Sequence, residues 1–454
     1  MKLAVLSLGC PKNQVDADRF TRALIDAGHT TVPRLDAADA IIINTCGFIQ
    51  SAKEEAIEAI FDACALKKKQ NPALKVVVTG CLAERYQGEV ANEIPELDAV
   101  VGIGANGSLP EILEKLAAGL ALSGETRPKA PLQAYGPKAA LSLEGSRVIS
   151  TPAHYAWLKV AEGCSNHCSY CAIPGIRGPL RSRPMESVLA EAEWLADQGV
   201  KELVLVAQDV TAYGDDTGHN QAVPLLKALE AVSGPRWIRI LYAYPERITP
   251  ELLEVMAASE KIVPYLDLPI QHCNEEILRS MGRRGGAQAV RDAVGLIREK
   301  LPGATLRTTL IAGYPGETEA IFEELCAFVQ AVRFDRLGCF AYSPEEGTRA
   351  ADLPNQVPEA ERQRRAEIIM EIQAGIMAEK LEAMAGETLE VICDGLDEDE
   401  NVWLCRSKAD APEIDVNVLV AAKAPMAPGG FYTVTVSSTE GCDLIADFIA
   451  PVAP

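Results

Sequence analysis

A β-rich run followed by a helical pattern recurs along most of this chain, which points to parallel sheets covered by helices. The first series has strand-like runs at Leu3–Leu8, Ala40–Asn44, Lys75–Thr79 and Ala99–Gly102, with helical patterns such as Val15–Ala27 and Ser51–Lys68 between them. The second series has runs at Tyr155–Val160, Glu202–Ala207, Trp237–Ala243, Tyr265–Leu268, Ala304–Ala312 and Arg336–Ala341. Helical patterns at Glu186–Gln198, Ala287–Leu301 and Glu319–Val332 alternate with these, so about six βα units predict a full or partial barrel, with its chemistry at the carboxyl ends of the strands. Between the series, Gly124 to Gly145 is rich in Pro, Ala, Gly and Lys without periodicity and reads as a linker. A long helix is expected from Glu359 to Met384. Beyond it, Thr388–Cys393, Val416–Val420 and Tyr432–Ser437 read as short strands of a small barrel of OB-like size.

The expected class is therefore α/β. Residues 1–120 form an N-terminal open parallel α/β sheet domain, 121–150 a linker, 151–384 a central partial (βα)6 barrel, and 385–454 a small antiparallel β-barrel. No apolar run reaches the roughly 18 residues of a membrane span, and the opening run Leu3–Gly9 is too short for a signal peptide. A cytoplasmic protein without a membrane partner is the expectation.

Thirteen cysteines, an odd number, argue against a disulfide framework and for ligation by an ordered subset. Cys164, Cys168 and Cys171 place three thiols within eight residues, just after a predicted strand. A cubane iron–sulfur cluster normally takes four protein thiolates, so C-x₃-C-x₂-C leaves one iron open to an external ligand. Bidentate capture of a methionine amino and carboxylate group suits that vacancy. The competing readings are three buried free cysteines, or a zinc knuckle completed by His167, although zinc ligands usually come as two separated pairs.

A second triad emerges once strands are placed. Cys10, Cys46 and Cys81 each fall one to three residues beyond a strand of the first series, in the contexts LGC, NTCG and TGC. In a parallel sheet those ends lie on one edge, where such folds bind ligands. Three unrelated structural cysteines are the alternative. The other seven (Cys64, Cys273, Cys326, Cys339, Cys393, Cys405 and Cys442) show no ligand spacing, and only Cys273, at a barrel strand end, invites attention. Gln208 and Asp209, at the carboxyl end of the second barrel strand, are candidate cosubstrate contacts, with ordinary loop polarity as the competing account. Gly313, Pro315 and Gly316 read as loop-shaping residues, and Glu317 as a carboxylate at a helix start.

The ordered motifs LGCPKNQVD, NTCG, VTGCLAERY, GCSNHCSYCAIPGIRGPLRSRP, YLDLPIQH, IAGYPGETE, YSPEEGT and RSKADAPEID resemble the radical S-adenosylmethionine methylthiotransferases over nearly the whole chain. CPKN, AIPGIRGPLRSRP and APEID resemble the branch that modifies a ribosomal protein more than the tRNA-modifying branch. Val416, where glycine is usual, and Cys273, where a small neutral residue is usual, depart from the pattern. The resemblance implies two [4Fe–4S] clusters and S-adenosylmethionine as cosubstrate. Cys164, Cys168 and Cys171 would hold the cluster that cleaves S-adenosylmethionine to a 5′-deoxyadenosyl radical. Cys10, Cys46 and Cys81 would hold an auxiliary cluster that delivers sulfur. The last domain would be a TRAM domain, the substrate an aspartate of small-subunit ribosomal protein number twelve, and the reductant a flavodoxin or ferredoxin. A tRNA adenosine methylthiotransferase shares both triads, and a non-catalytic iron–sulfur storage or redox-sensing protein is the rival from another class.

Charge bears on the substrate. The chain carries 43 Lys and Arg against 64 Asp and Glu, a net charge of −21. From Gly386 to Pro454, 13 acidic residues face only Arg406, Lys408 and Lys423. An RNA-binding barrel needs a basic groove, so RNA is not favoured and a basic protein partner is. The run Lys67-Lys68-Lys69 ends a predicted helix and reads as a dipole-compensating terminus.

Overall fold

A computed structural model describes residues 1–119 and 130–453, which group into two compact units. The first unit comprises Met1–Ser150, Ala161–Arg183 and Ser343–Ala351; the second comprises Thr151–Val160, Pro184–Tyr342 and Asp352–Pro454.

In the first unit, strands β1 (Lys2–Ser7), β2 (Thr30–Thr31), β3 (Ala40–Thr45), β4 (Lys75–Gly80), β5 (Ala99–Val101) and β6 (Leu132–Ala134) form one parallel sheet in the order β2-β1-β3-β4-β5-β6. Helices α1 (Pro11–Asp26), α2 (Gln50–Lys69) and α3 (Cys81–Glu93) follow β1, β3 and β4. The run AIIINT of β3 has no polar face, and all six residues are buried, as in a strand covered on both sides. Alternation sorts the side chains: Ile41, Ile43, Val76 and Val78 pack with Ala56, Ile60 and Leu82 on one side. Ile42 and Val77 pack with Phe20 and Leu24 of α1 on the other.

One part of the expected linker belongs to this sheet. Leu132–Ala134 pairs in parallel with Ala99–Val101, and Leu132 is buried in the same core as Phe20. Three residues are too few to show periodicity, so only the open edge of β5 could have signalled this strand. Residues 120–129, within the same stretch, lie outside the described residues.

In the second unit, Tyr155–Lys159, Glu202–Val206, Trp237–Ile240, Ile262–Asp267, Thr305–Ala312 and Arg336–Ala341 pair in parallel, in sequence order. This is the expected six-unit partial barrel. The third strand stops three residues early because Tyr242 adopts φ +61° and gives its N–H to the Asp267 carboxylate at 3.2 Å. The long helix runs from Glu359 to Glu382. Five strands after it, Thr388–Asp397, Val402–Ser407, Val418–Ala421, Phe431–Glu440 and Asp443–Pro451, close into a barrel. Its pairs are antiparallel except Val418–Ala421 with Asp443–Pro451, which is parallel because the chain crosses over before closing the ring. Among the described residues no helix is long and apolar enough to cross a membrane.

A buried ion network crosses this unit. The Glu202 carboxylate, fully buried, accepts from Arg239 Nε and Arg406 Nη1, each at 2.7 Å. Burial would raise the Glu202 pKa, but the two guanidinium groups hold it below the ordinary carboxylate value. A folded-state pKa lowered in this way stabilises the fold above the unfolded value of about 4.3 and loses that contribution as pH falls through the folded value. Glu202→Gln leaves two buried guanidinium groups without their shared anion, so a loss of about 3–5 kcal/mol is expected in denaturant unfolding at pH 7. The difference from the wild type should shrink as the pH is taken below about 4. A pH-independent difference would refute the electrostatic account.

Candidate functional site

The first unit assembles the second triad through register. Ser7 lies opposite Asn44, and Asn44 opposite Thr79, so β1, β3 and β4 end together, with Cys10, Cys46 and Cys81 just beyond. Neighbouring strands are about 4.8 Å apart, so three of them spread their thiols over an edge about 10 Å wide. Cys10 caps α1, whose first helical residue is Pro11, and its carbonyl accepts from the N–H groups of Asn13 and Gln14. Two asparagines fasten the edge: Asn13 Nδ2 donates to the carbonyls of Leu8, Asn44 and Thr45, and Asn44 Nδ2 donates back to the Asn13 carbonyl at 2.7 Å. Asn13 and Asn44 stand in the CPKN and NTCG motifs, where sequence reasoning saw only the cysteines.

Glycine is required beside two of the thiols. Gly9 has φ +89°, and a Cβ there would lie 2.7 Å from Cys46 Cβ. Gly80 has φ +94°, and a Cβ there would lie 2.4 Å from the Thr45 carbonyl oxygen. Each needs both a left-handed backbone and empty space. The thiols also interact electrostatically. Burial works to raise the Cys10 pKa, but the Lys12 and Arg177 charges and the Asn13 and Lys12 N–H groups together bring it below the ordinary thiol value. Burial and the Cys10 charge raise Cys46, and burial pushes Cys81 up to about 12 despite Arg177.

The same unit contains the triplet. Ala161–Glu162 pairs antiparallel with Arg181–Ser182 and closes a loop that carries Cys164, Cys168 and Cys171. Within it the Cys164 N–H donates to the Gly178 carbonyl and the Cys171 N–H to the Cys168 carbonyl. Cys168 and Cys171 border an open cavity of about 530 Å³, with Lys138, His167, Ile176 and Arg349. His167 is exposed, at φ +53°. Among the described residues, no three His, Cys, Asp or Glu side chains gather round a single metal-ion position. A cubane instead spreads its thiolates over separate irons, and three soft sulfur donors on each of two backbone scaffolds fit that group.

Two further residues of this unit escaped the sequence analysis. Arg177, buried, donates through Nη1 to Asp16 (2.6 Å) and Glu162 (2.9 Å), and through Nη2 to Asn13 Oδ1 (3.0 Å). Its Nε and Nη2 also face Cys81 Sγ, at 3.4 and 3.3 Å. Glu345, also buried, accepts from Lys53 (2.9 Å) and Arg85 (2.8 Å), and so anchors the PEEGT turn to α2 and α3. Lys67, in the basic run, pairs with Asp98 at 2.5 Å and ends α2 as expected.

In the second unit, Gln208 and Asp209 follow the strand Glu202–Val206. The Asp209 carboxylate accepts from the Thr211 hydroxyl (2.6 Å) and the Ala212 N–H (3.2 Å) and pairs with Arg247 (3.0 Å), contacts that order its own loop. Cys273 is buried, and burial with the nearby Glu324 charge pushes its thiol up to about 12. Glu317 does not cap the helix Glu319–Val332, a role taken by Thr318; it accepts from the Gly313 N–H at 3.0 Å and from Arg365 at 2.9 Å, and lies 3.3 Å from His272.

Comparison with known proteins divides the chain into three stretches. Residues 2–102 match the model described as Uncharacterized protein family UPF0004, residues 158–329 the Radical SAM superfamily, and residues 385–449 the TRAM domain. The S-adenosylmethionine methyltransferase TsrM from Kitasatospora setae, a radical enzyme solved with cobalamin and a [4Fe–4S] cluster, superposes with a TM-score of 0.55 at 16% identity, covering 76% of each chain. That likeness is one of fold. The Radical SAM match, together with the full-length relatives, makes this chain a radical SAM enzyme. Full-length relatives narrow the class. The proteins named "Ribosomal protein uS12 methylthiotransferase RimO" from Clostridioides difficile and Acetivibrio thermocellus are each 42% identical to it, over 100% of both chains in the first case and over 99% of this chain and 98% of the relative in the second. The relative of that name from Desulfitobacterium hafniense is 43% identical over 99% of this chain and 98% of its own. The chain belongs to the RimO family of methylthiotransferases.

The packing at Gly9 generates a test. Gly9→Ala should lower stability by about 1–3 kcal/mol in denaturant unfolding, because φ and space both oppose the methyl group. Gly28, with φ +88° and nothing within 4 Å, is the control for backbone strain alone. Equal losses at the two positions would refute the close approach to Cys46.

Proposed function

We propose that this chain inserts a methylthio group at the β-carbon of an aspartate side chain in ribosomal protein uS12. The observation that carries the reading is that two sets of three cysteines, each on its own scaffold, lie in one compact unit of a RimO-family chain. The name that the full-length relatives share supports the substrate. Cys164, Cys168 and Cys171 hold one [4Fe–4S] cluster and Cys10, Cys46 and Cys81 the other. The bound clusters supply, respectively, the electron that cleaves S-adenosylmethionine and the sulfur to be inserted. Gln208 and Asp209 serve S-adenosylmethionine, Asp209 by holding its loop. The protein's share is to place two reactive groups and shield them from water. The work divides among 1–120, which carries the second triad, the segment 121–150, whose strand Leu132–Ala134 joins the first sheet, the radical SAM domain 151–384 and the TRAM domain 385–454. A cytoplasmic location and a flavodoxin or ferredoxin as electron donor complete the reading.

The charge argument for a basic protein substrate narrows once side-chain partners are considered. Of the 13 acidic residues after Gly386, Asp394 pairs with Arg406 and His154, Asp410 with Arg336, and Glu390 with Arg236. Glu413 accepts from Tyr155, and Asp415 from Tyr265. The exposed negative charge is concentrated at the turn Asp397–Glu400, where Asp397 caps its own turn and Glu398, Asp399 and Glu400 face solvent. That turn still opposes a phosphate backbone and attracts a cationic protein.

The test is anaerobic reconstitution with reductant and S-adenosylmethionine, offering either uS12 or unmodified tRNA. A gain of one methylthio group on uS12 is expected; a gain on tRNA alone would overturn the substrate. Cys46→Ala should keep 5′-deoxyadenosine formation and abolish methylthio insertion, whereas unchanged insertion would refute the role of the second triad.

A further inference from the structure

Arg177 is arranged as more than a partner for buried carboxylates. Its Nη1 alone serves both Asp16 and Glu162. The other edge of the guanidinium, Nε with Nη2, is the edge that normally grips an anion with two parallel N–H groups, and here it is turned on a single sulfur, Cys81 Sγ, at 3.4 and 3.3 Å. Asn13 Oδ1 receives the second Nη2 hydrogen, so the group is held from several sides and cannot rotate away. Asp16 and Asn13 both belong to α1, the helix that Cys10 caps, whereas Arg177 lies six residues past Cys171 in the loop of the triplet. Lysine, a point donor on a flexible stem, could not reproduce this planar fork.

Hydrogen bonds to a cluster's sulfurs, and positive charge beside them, favour the reduced and more negative cluster. The effect is strong where water is excluded, and Arg177 is 1% exposed. We propose that Arg177 is a positioning residue that sets the reduction potential of the cluster held by Cys10, Cys46 and Cys81 through its paired N–H groups on the Cys81 sulfur. Asp16 and Glu162 offset part of its charge and so limit how far the potential rises. The inference rests on the assignment of a cluster to that triad, and its test separates the two.

The experiment is a potentiometric titration of the reconstituted full-length protein, without S-adenosylmethionine, read by electron paramagnetic resonance. The signal of the Cys164, Cys168 and Cys171 cluster serves as the internal reference. Arg177→Gln should move the second cluster to lower potential, with its ratio of reduced to oxidised forms at the wild-type midpoint falling roughly tenfold. Arg177→Lys, which keeps the charge but loses the paired donors, should move it the same way by less. Asp16→Asn, which keeps the donors and removes a counter-charge, should move it to higher potential. Unchanged potentials in loaded variants, or shifts of one sign in Arg177→Lys and Asp16→Asn alike, would overturn the proposal. If Arg177→Gln fails to load iron, the other two variants decide between these outcomes. Iron and sulfide for only one cluster in the wild type would instead overturn the assignment of the second triad.

Discussion

Three thiols from distant parts of the chain come to one sheet edge because β1, β3 and β4 run parallel and stop at one level. The pairing Ser7–Asn44–Thr79 leaves no freedom in this respect: a slip of one residue would turn every buried isoleucine of β3 toward the wrong layer. Core packing and placement of the thiols are therefore one constraint. Asn13, Asn44, Gly9 and Gly80 refine it, two by tying the strand ends together and two by leaving room where the backbones nearly touch.

Arg177 extends this constraint to the neighbouring loop. Its carboxylate partners come from α1 and from the short ribbon that opens the triplet's loop, so both cysteine sets depend on one buried cation. Such a cation is costly to bury and is held by paired partners on several sides. Glu345 acts in the same manner on the PEEGT turn, as an anion between Lys53 and Arg85. The unit is thus fastened by a few charged groups, each joining segments that lie far apart in the sequence.

Much of this was legible in the sequence because it is periodic. Arg336–Ala341 and Glu319–Val332 agree with the structure to the residue, since apolar runs and helical faces repeat along them. Both cysteine sets could be read from spacing and strand ends. Arg177 could not be, because a single cation after Ile173-Pro174-Gly175-Ile176 carries no period, and its partner Asp16 is 161 residues away. Leu132–Ala134 was hidden by its brevity, and the parallel closing pair of the last barrel by a crossover that no local pattern encodes. The tally of acidic residues overstated the surface charge for a related reason: composition counts Asp394, Asp410 and Asp415 as surface charge, whereas partners in the fold engage them.

The first unit is discontinuous along the chain, closing only when Ala161–Arg183 and Ser343–Ala351 have joined Met1–Ser150. On a translating ribosome, residues 1–150 can collapse early, yet the PEEGT turn that pins α2 and α3 is made about 200 residues later. At ordinary elongation rates that interval is roughly ten to forty seconds. Until it ends, the thiols emerge into the cell on an incomplete scaffold, open to metals and oxidants of every kind. The topology therefore makes protection of a nascent, half-built set of thiols a matter of timing during synthesis as well as of the finished fold.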